Sequence, residues 1–355
     1  VLSPKNAAVP VCALAISVLA ACASPAPKSS SAAQDSGAQL PAVVQERSVI
    51  AQSDTSENEV KVPAQAALAG DVDDQAVESA SPPSAGAVTE RLIRERATAL
   101  DPYVITAHKP NFIFPLSFTS NINREIYEQN DVPLREGLEP VEVKFQISLK
   151  TSLNQKDLLF ANDSLSLGIT LQAWWQLYSS DLSSPFRESN YQPEVFYLVP
   201  LLWGPFGGNI AMLVGLEHQS NGQVQGLSRS WNRVYAAMIY ERGEFVASIH
   251  PWYRIPEKAK ESPELAKGDD NPDISDFMGH GDIKLGWRNY KYEFAMLARG
   301  NPSTGKGAIK LGMTFPFFAR LKGYVEYFNG YGDSLIDYNH RQQRLGLGIA
   351  LTSLF

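Results

Sequence analysis

The sequence predicts an all-β chain, a 12-stranded antiparallel transmembrane β-barrel preceded by a disordered N-terminal tether. Three observations lead there. Runs in which apolar and polar residues alternate recur from residue 111 to the end, no apolar stretch of 18 residues interrupts them, and a segment resembling a secretory signal comes first. A closed barrel is the only spanning alternative to helices, because every backbone polar group must be satisfied away from water.

The first element is residues 7–21, AAVPVCALAISVLAA, an apolar run after Lys5. It has the length of a signal core and falls short of the about 20 residues a spanning helix needs. Residues 1–21 therefore read as a signal peptide, ending in "LAAC" at Leu19 to Cys22. That ending resembles the bacterial lipobox, in which the cysteine is acylated and becomes the mature N-terminus; ordinary signal cleavage near "ACA" is the alternative. Acyl chains on Cys22 would tether the N-terminus to a membrane without a spanning helix. The only other cysteine, Cys12, also falls in the first 22 residues, so the rest of the chain can form no disulfide.

Residues 22–87 are Ala, Ser, Pro, Gln, Asp and Glu with hardly an aromatic. Such a composition buries too little surface to offset chain entropy, which predicts a disordered tether. Residues 88–110 follow as a short N-terminal segment, with VTERLIRERATAL (88–100) patterned as an amphipathic helix.

The barrel is expected over 111–355. PVEVKFQISLK is its clearest strand, with Val141, Val143, Phe145, Ile147 and Leu149 alternating with Glu142, Lys144, Gln146, Ser148 and Lys150. Similar runs near 111–119, 164–177, 193–204, 208–220, 230–241, 244–254, 281–288, 291–299, 307–315, 319–329 and 343–355 bring the total to twelve. Many approach the about 9–11 residues of a tilted spanning strand, against about 5–6 in a globular sheet.

A soluble β-sandwich alternates as well. Aromatics at strand ends favour the membrane barrel: WW (174–175), HPWYR (250–254) and YVEYFNGY (324–331) would suit the two interfaces. So does a last strand ending on Phe355, with Leu351, Ile349, Leu347 and Leu345 on its face, which resembles the terminal strand of bacterial outer-membrane barrels. The net charge of -7 and pI near 5.4 exclude a basic footprint for nucleic acid.

The chemistry is read from strand phase. In NIAMLVGLEHQS, Ile210, Met212, Val214 and Leu216 share one parity with His218 and Ser220, while Gly215, Glu217 and Gln219 share the other. In the next run Asn232, Val234, Ala236 and Met238 share a face. If both runs are unbroken strands joined through 221–229, a Ser, a His and an Asn become neighbours on the lipid-facing wall. Serine is a poor nucleophile until a base takes its proton, and an imidazole does so when its other nitrogen is held. Asn232 would orient the ring without supplying the charge of an aspartate.

His and Ser two apart on a strand lie about 7 Å apart at the Cα, so twist must close the gap. Ordinary polar residues at a membrane interface are the alternative reading, but uncompensated polar groups facing lipid are costly. A substrate reached from that side is a lipid. For a cation, Ser228, the carbonyls of 221–227, and Asp269, Asp270 and Asp273 offer hard oxygens that suit Ca²⁺, although an acidic loop is usually just solvated.

WWQL (174–177), SSPFRESNYQP (183–193), HQSNG with SRSWNR (218–222, 228–233), DDNPDI (269–274) and GYGDSLIDYN (330–339) together resemble the outer membrane phospholipase A family of Gram-negative bacteria. The resemblance covers roughly 100–355. It implies a barrel of twelve strands in the outer membrane that hydrolyses acyl esters of phospholipids and lysophospholipids, needs Ca²⁺ and is active as a homodimer.

By motif, it makes Ser220 the nucleophile, His218 the base and Asn232 its orienting residue. The resemblance also implies a calcium set of Ser228, Asp270, the Gln223 carbonyl and a Ser183 carbonyl from the partner subunit. Three positions depart from the family form: Gln223 and Gln225 stand where an Arg and an Asp are expected, and Leu171 aligns with a membrane-embedded Gln of the dimer interface. The rival reading is a non-enzymatic barrel, a pore or anchored surface protein with a remnant site. Polar residues of the opposite face, among them Glu142, Lys144, Arg233 and Glu326, argue instead for a plugged interior.

Overall fold

In a computed structural model the described residues are 86–355, apart from 100, 102, 131, 133, 135, 136, 202, 203, 224, 263, 264, 266, 319 and 320. The expected signal peptide, Cys22 and nearly all of the expected tether lie outside them.

Twelve strands close into one antiparallel barrel: β2 (Phe112–Thr119), β3 (Val141–Ser152), β4 (Ser164–Trp175), β5 (Phe186–Leu201), β6 (Asn209–Ser220), β7 (Ser230–Arg242), β8 (Phe245–Ile255), β9 (Gly281–Arg288), β10 (Glu293–Asn301), β11 (Lys306–Phe318), β12 (Leu321–Tyr331) and β13 (Arg341–Ala350). Each pairs with its sequence neighbours, and β13 pairs with β2 to close the ring. A two-residue strand, β1 (Thr106–Ala107), pairs outside the ring against β3. Among the described residues no helix is long and apolar enough to cross a membrane.

Alternation places side chains as expected. Met212, Val214, Val234, Met238, Ile283, Leu285, Leu345 and Leu347 are exposed on the outer wall, while Glu142, Lys144, Glu217 and Arg233 are buried inside. The lumen is filled by paired charges. Lys144 Nζ lies 3.0 Å from Glu326 and 2.8 Å from Asp333, and Arg187 bridges Glu142 (3.0 Å) and Asp337 (2.9 Å). Arg344 joins Glu142 at 2.7 Å to Asp333 at 2.8 Å. Buried charges persist only when paired in this way.

Helix α1 (Ala87–Ala97) begins one residue before the expected helix. Its first N–H groups, from Val88 and Thr89, donate to the Glu241 carboxylate at 2.8 and 3.0 Å, so a strand residue caps the helix and complements its dipole. Lys150 pairs with Glu95 at 2.7 Å, and Arg91 Nη2 donates to the carbonyls of Ala107 and His108. These contacts fix α1 at the barrel end that carries the turns 204–208, 243–244 and 289–292. The segments 120–140, 176–185, 221–229, 256–280 and 332–340 gather at the opposite end, where two short helices, α2 (Glu125–Gln129) and α3 (Ile274–Met278), lie.

Three expectations need correction. Strand β5 starts at Phe186 rather than near 193, because Arg187, Glu188 and Asn190 are buried polar residues of the lumen and a bulge at Trp174/Trp175 shifts its phase. The last strand stops at Ala350. Residues beyond it turn inward, so Phe355 packs toward Gly286, Phe112 and Phe114 instead of standing on the outer face. Third, several strand-end aromatics face the lumen rather than an interface: Trp174 donates to Asp333 at 3.1 Å, Trp252 donates to the Gly279 carbonyl, and Tyr324 and Phe328 are buried.

A candidate active site on the outer wall

The antiparallel register of β6 and β7 sets His218 opposite Asn232 and Ser220 opposite Ser230. All three candidate residues share the outward parity and are half-buried, whereas Glu217, Trp231 and Arg233 between them are buried in the lumen. His218 Nδ1 and Asn232 Oδ1 are 2.8 Å apart. With the amide oxygen as acceptor, the imidazole carries its proton on Nδ1 and leaves Nε2 free to act as a base. Ser220 Oγ and His218 Nε2 form no hydrogen bond in this conformation, so strand twist alone does not close the gap that the spacing implied. Catalytic contacts are often long without substrate.

On the other side Ser220 stands opposite Tyr191 of β5, and Tyr191 opposite Leu171 of β4, which itself faces Ile147 of β3. The nucleophile candidate thus ends an outward row of large apolar side chains, of which Ile147 and Tyr191 are exposed.

The loop after β6 is held by Asn221. Its Oδ1 accepts from the N–H groups of Gln223 (3.3 Å) and Arg229 (2.9 Å), and its Nδ2 donates to the Leu227 carbonyl (2.8 Å) and to Glu188 (3.3 Å). This brings Ser228 to the acidic loop, where its hydroxyl donates to Asp270 Oδ2 at 2.7 Å.

Of the three candidate aspartates only Asp270 is presented this way. Asp269 pairs with Arg254 and accepts from the Asn271 N–H, and Asp273 accepts from the Tyr338 hydroxyl. Burial, and then the hydrogen bond to Asp273, push the Tyr338 hydroxyl above its ordinary value. Asn271 Oδ1 accepts from the Ser230 N–H at 3.0 Å, which ties the acidic loop to the strand opposite Ser220.

The remaining candidates do not converge. Gln223 is exposed in the loop, and Ser183 is exposed in the β4–β5 turn, bonded to neither Ser228 nor Asp270. Among the described residues no group of three or more His, Cys, Asp or Glu could hold a metal. What is present is a hydroxyl, one carboxylate and loop carbonyls, a hard-oxygen set suited to Ca²⁺. In this conformation the Lys260 ammonium pairs with Asp270 Oδ1.

Sequence reasoning missed Lys260, Glu257, Asn221 and Tyr191. Tyr191 and Asn221 lay within quoted motifs without a role; Lys260 and Glu257 carry no periodicity that would have marked them.

A family model described as phospholipase A1 matches residues 88–351. The putative phospholipase A1 of Neisseria meningitidis serogroup B is 38% identical over 258 residues, 70% of this chain, which spans 66% of that relative's length. The phospholipase A1 of Escherichia coli K12 is 33% identical over 276 residues, 78% of this chain and 90% of that one. Among solved structures, the outer membrane phospholipase A of Escherichia coli superposes with a TM-score of 0.66 at 32% identity, covering 74% of this chain and 98% of that chain. The Salmonella typhi outer membrane phospholipase, a dimer with bound calcium, gives 0.67 at 32% identity over 74% of this chain and 98% of that chain. With the closed barrel of twelve strands and the family match spanning most of its described residues, this chain belongs to the phospholipase A1 family of bacterial outer-membrane β-barrels.

Proposed function

We propose that this outer-membrane phospholipase cleaves acyl esters of phospholipids and lysophospholipids at a Ser220–His218–Asn232 site on the lipid-facing wall, in a calcium-dependent homodimer. The observation that carries the reading is the 2.8 Å contact of His218 Nδ1 with Asn232 Oδ1 on the same outward face as Ser220.

His218 Nε2 takes the Ser220 proton as Oγ attacks the ester carbonyl carbon, and Asn232 keeps the Nδ1 proton in place through the step. The imidazolium then returns its proton to the leaving alkoxide, releasing a lysophospholipid. Water activated by the same imidazole cleaves the acyl-serine and frees the fatty acid. Ca²⁺, held by Ser228, Asp270 and the Gln223 carbonyl with a carbonyl of the partner subunit's Ser183, would supply positive charge to the ester oxygen. Asn221 shapes the loop that presents those oxygens, and Ser228 is aimed at Asp270.

The site lies at the end of the barrel that carries the longer loops. In barrels of this type the longer loops face the cell exterior, which supports attack on lipids of the outer leaflet. Leu171 and Ile147 beside Tyr191 provide an apolar strip for the dimer contact. The paired charges that fill the lumen argue against the rival reading of an open pore. The test is fatty-acid release from phospholipid in detergent, with Ca²⁺ or with a chelator; substantial channel conductance without calcium-stimulated ester cleavage would favour the pore.

A further inference from the structure

We infer that Glu257 is a positioning residue that sets the orientation of the Asn232 amide and, through it, the tautomer of His218. The inference rests on the Ser220–His218–Asn232 reading and adds a fourth member to it.

An asparagine amide presents two nearly isosteric ends, an acceptor oxygen and a donor nitrogen. With Oδ1 toward His218, Nδ1 bears the proton and Nε2 is a free base. With the amide turned over, Nδ2–H faces Nδ1, the proton moves to Nε2, and the imidazole can no longer take a proton from Ser220. On a wall facing lipid, little water is at hand to settle the choice.

Glu257 settles it. Asn232 pairs with Ile255 at the end of β8, and two residues later the chain brings the Glu257 carboxyl to Asn232 Nδ2, which donates to Oε1 at 3.0 Å. A carboxylate only accepts, so it selects the nitrogen end of the amide and leaves the oxygen end for His218, 2.8 Å away. The carboxyl is itself half-buried. Burial raises that carboxyl above its ordinary value, the expected cost of placing it there.

The test uses the full-length protein in detergent with calcium. It measures the rate of covalent labelling of Ser220 by a long-chain alkyl sulfonyl fluoride, together with kcat and KM for ester hydrolysis. Glu257→Leu and Glu257→Ala should lower the labelling rate and kcat by about five- to tenfold with KM unchanged, the size expected for the loss of one ordinary hydrogen bond. Glu257→Gln, whose amide oxygen can still accept from Asn232, should keep at least about half the parent rate.

In an Asn232→Ala background, Glu257→Ala should cause no further loss, because its route to His218 is already cut. Two alanine-sized and larger apolar variants are used so that misfolding of one, seen as lost resistance of the barrel to SDS, leaves the other to decide. A parent labelled at Ser220 whose Glu257 variants label equally fast overturns the inference alone, as does an equal further loss in the Asn232→Ala background. A parent in which Ser220 is not labelled overturns the Ser220 reading, and the inference falls with it.

Discussion

Replacing Lys260 with glutamine should tighten calcium binding. Lys260 and Asp270 form an ion pair whose side chains are 13% and 6% exposed, and Asp270 is also the acceptor of the Ser228 hydroxyl. Any divalent cation that uses Asp270 must first displace the ammonium. A fully exposed pair of this kind is worth up to about 1 kcal/mol, and unit charges 4 Å apart at an effective dielectric of 20 attract by about 4 kcal/mol. The largely covered pair sits between these limits, and a competitor worth about 1–2 kcal/mol weakens calcium about 5- to 30-fold. Lys260→Gln should recover that factor as a lower dissociation constant, measured by titration calorimetry in detergent at fixed ionic strength. Parent protein should approach the variant as salt screens the pair. An unchanged or weaker affinity in Lys260→Gln would refute the assignment of Asp270 to the cation site.

Three further outcomes are expected. Asp270→Asn should weaken calcium binding about tenfold in the same calorimetric assay, because it removes the one carboxylate aimed at Ser228. Arg187→Met should destabilise the barrel by about 3–5 kcal/mol, since it leaves Asp337 buried without its ion pair and Glu142 with Arg344 alone; the temperature at which the barrel loses resistance to SDS reads this. Burial disfavours ionisation of the loop carboxyls Asp333 and Asp337, but Lys144 and Arg187 respectively, with Arg344 helping both, hold them below the ordinary carboxylate value. Depressed carboxyls stabilise the fold above their unfolded value near 3.8 and lose that contribution as pH falls through the folded value. Their part of barrel stability should therefore be flat from neutral pH to about pH 5 and decline below about pH 4.

The barrel was legible because its outer wall obeys a two-residue period against lipid. Val141 to Leu149 and Ile210 to Leu216 needed nothing more than parity to be placed. The same rule failed where lumen polarity, bulges or chain ends intervene. Phe186 to Gln192 reads as polar loop because Arg187, Glu188 and Asn190 point into a lumen lined with charges, and the terminal residues after Ala350 leave the sheet to bury Phe355.

In the site, the pairing of His218 with Asn232 followed from phase and register, which act over adjacent strands. Lys260 on Asp270 and Glu257 behind Asn232 depend on how the 256–280 loop folds back, with Ala259 bridging to Asp269. No periodicity encodes such a return, and a lysine beside an acidic loop reads the same whether it is solvated or docked.

The central claim is that Ser220 on the lipid-facing wall is the nucleophile of a phospholipase, and one measurement bears on it most directly. Fatty-acid release from phospholipid by Ser220→Ala, with calcium present and the barrel shown to be folded by its resistance to SDS, should fall by a factor of about 1,000 or more. Hydrolysis by the folded variant at close to the parent rate would contradict it.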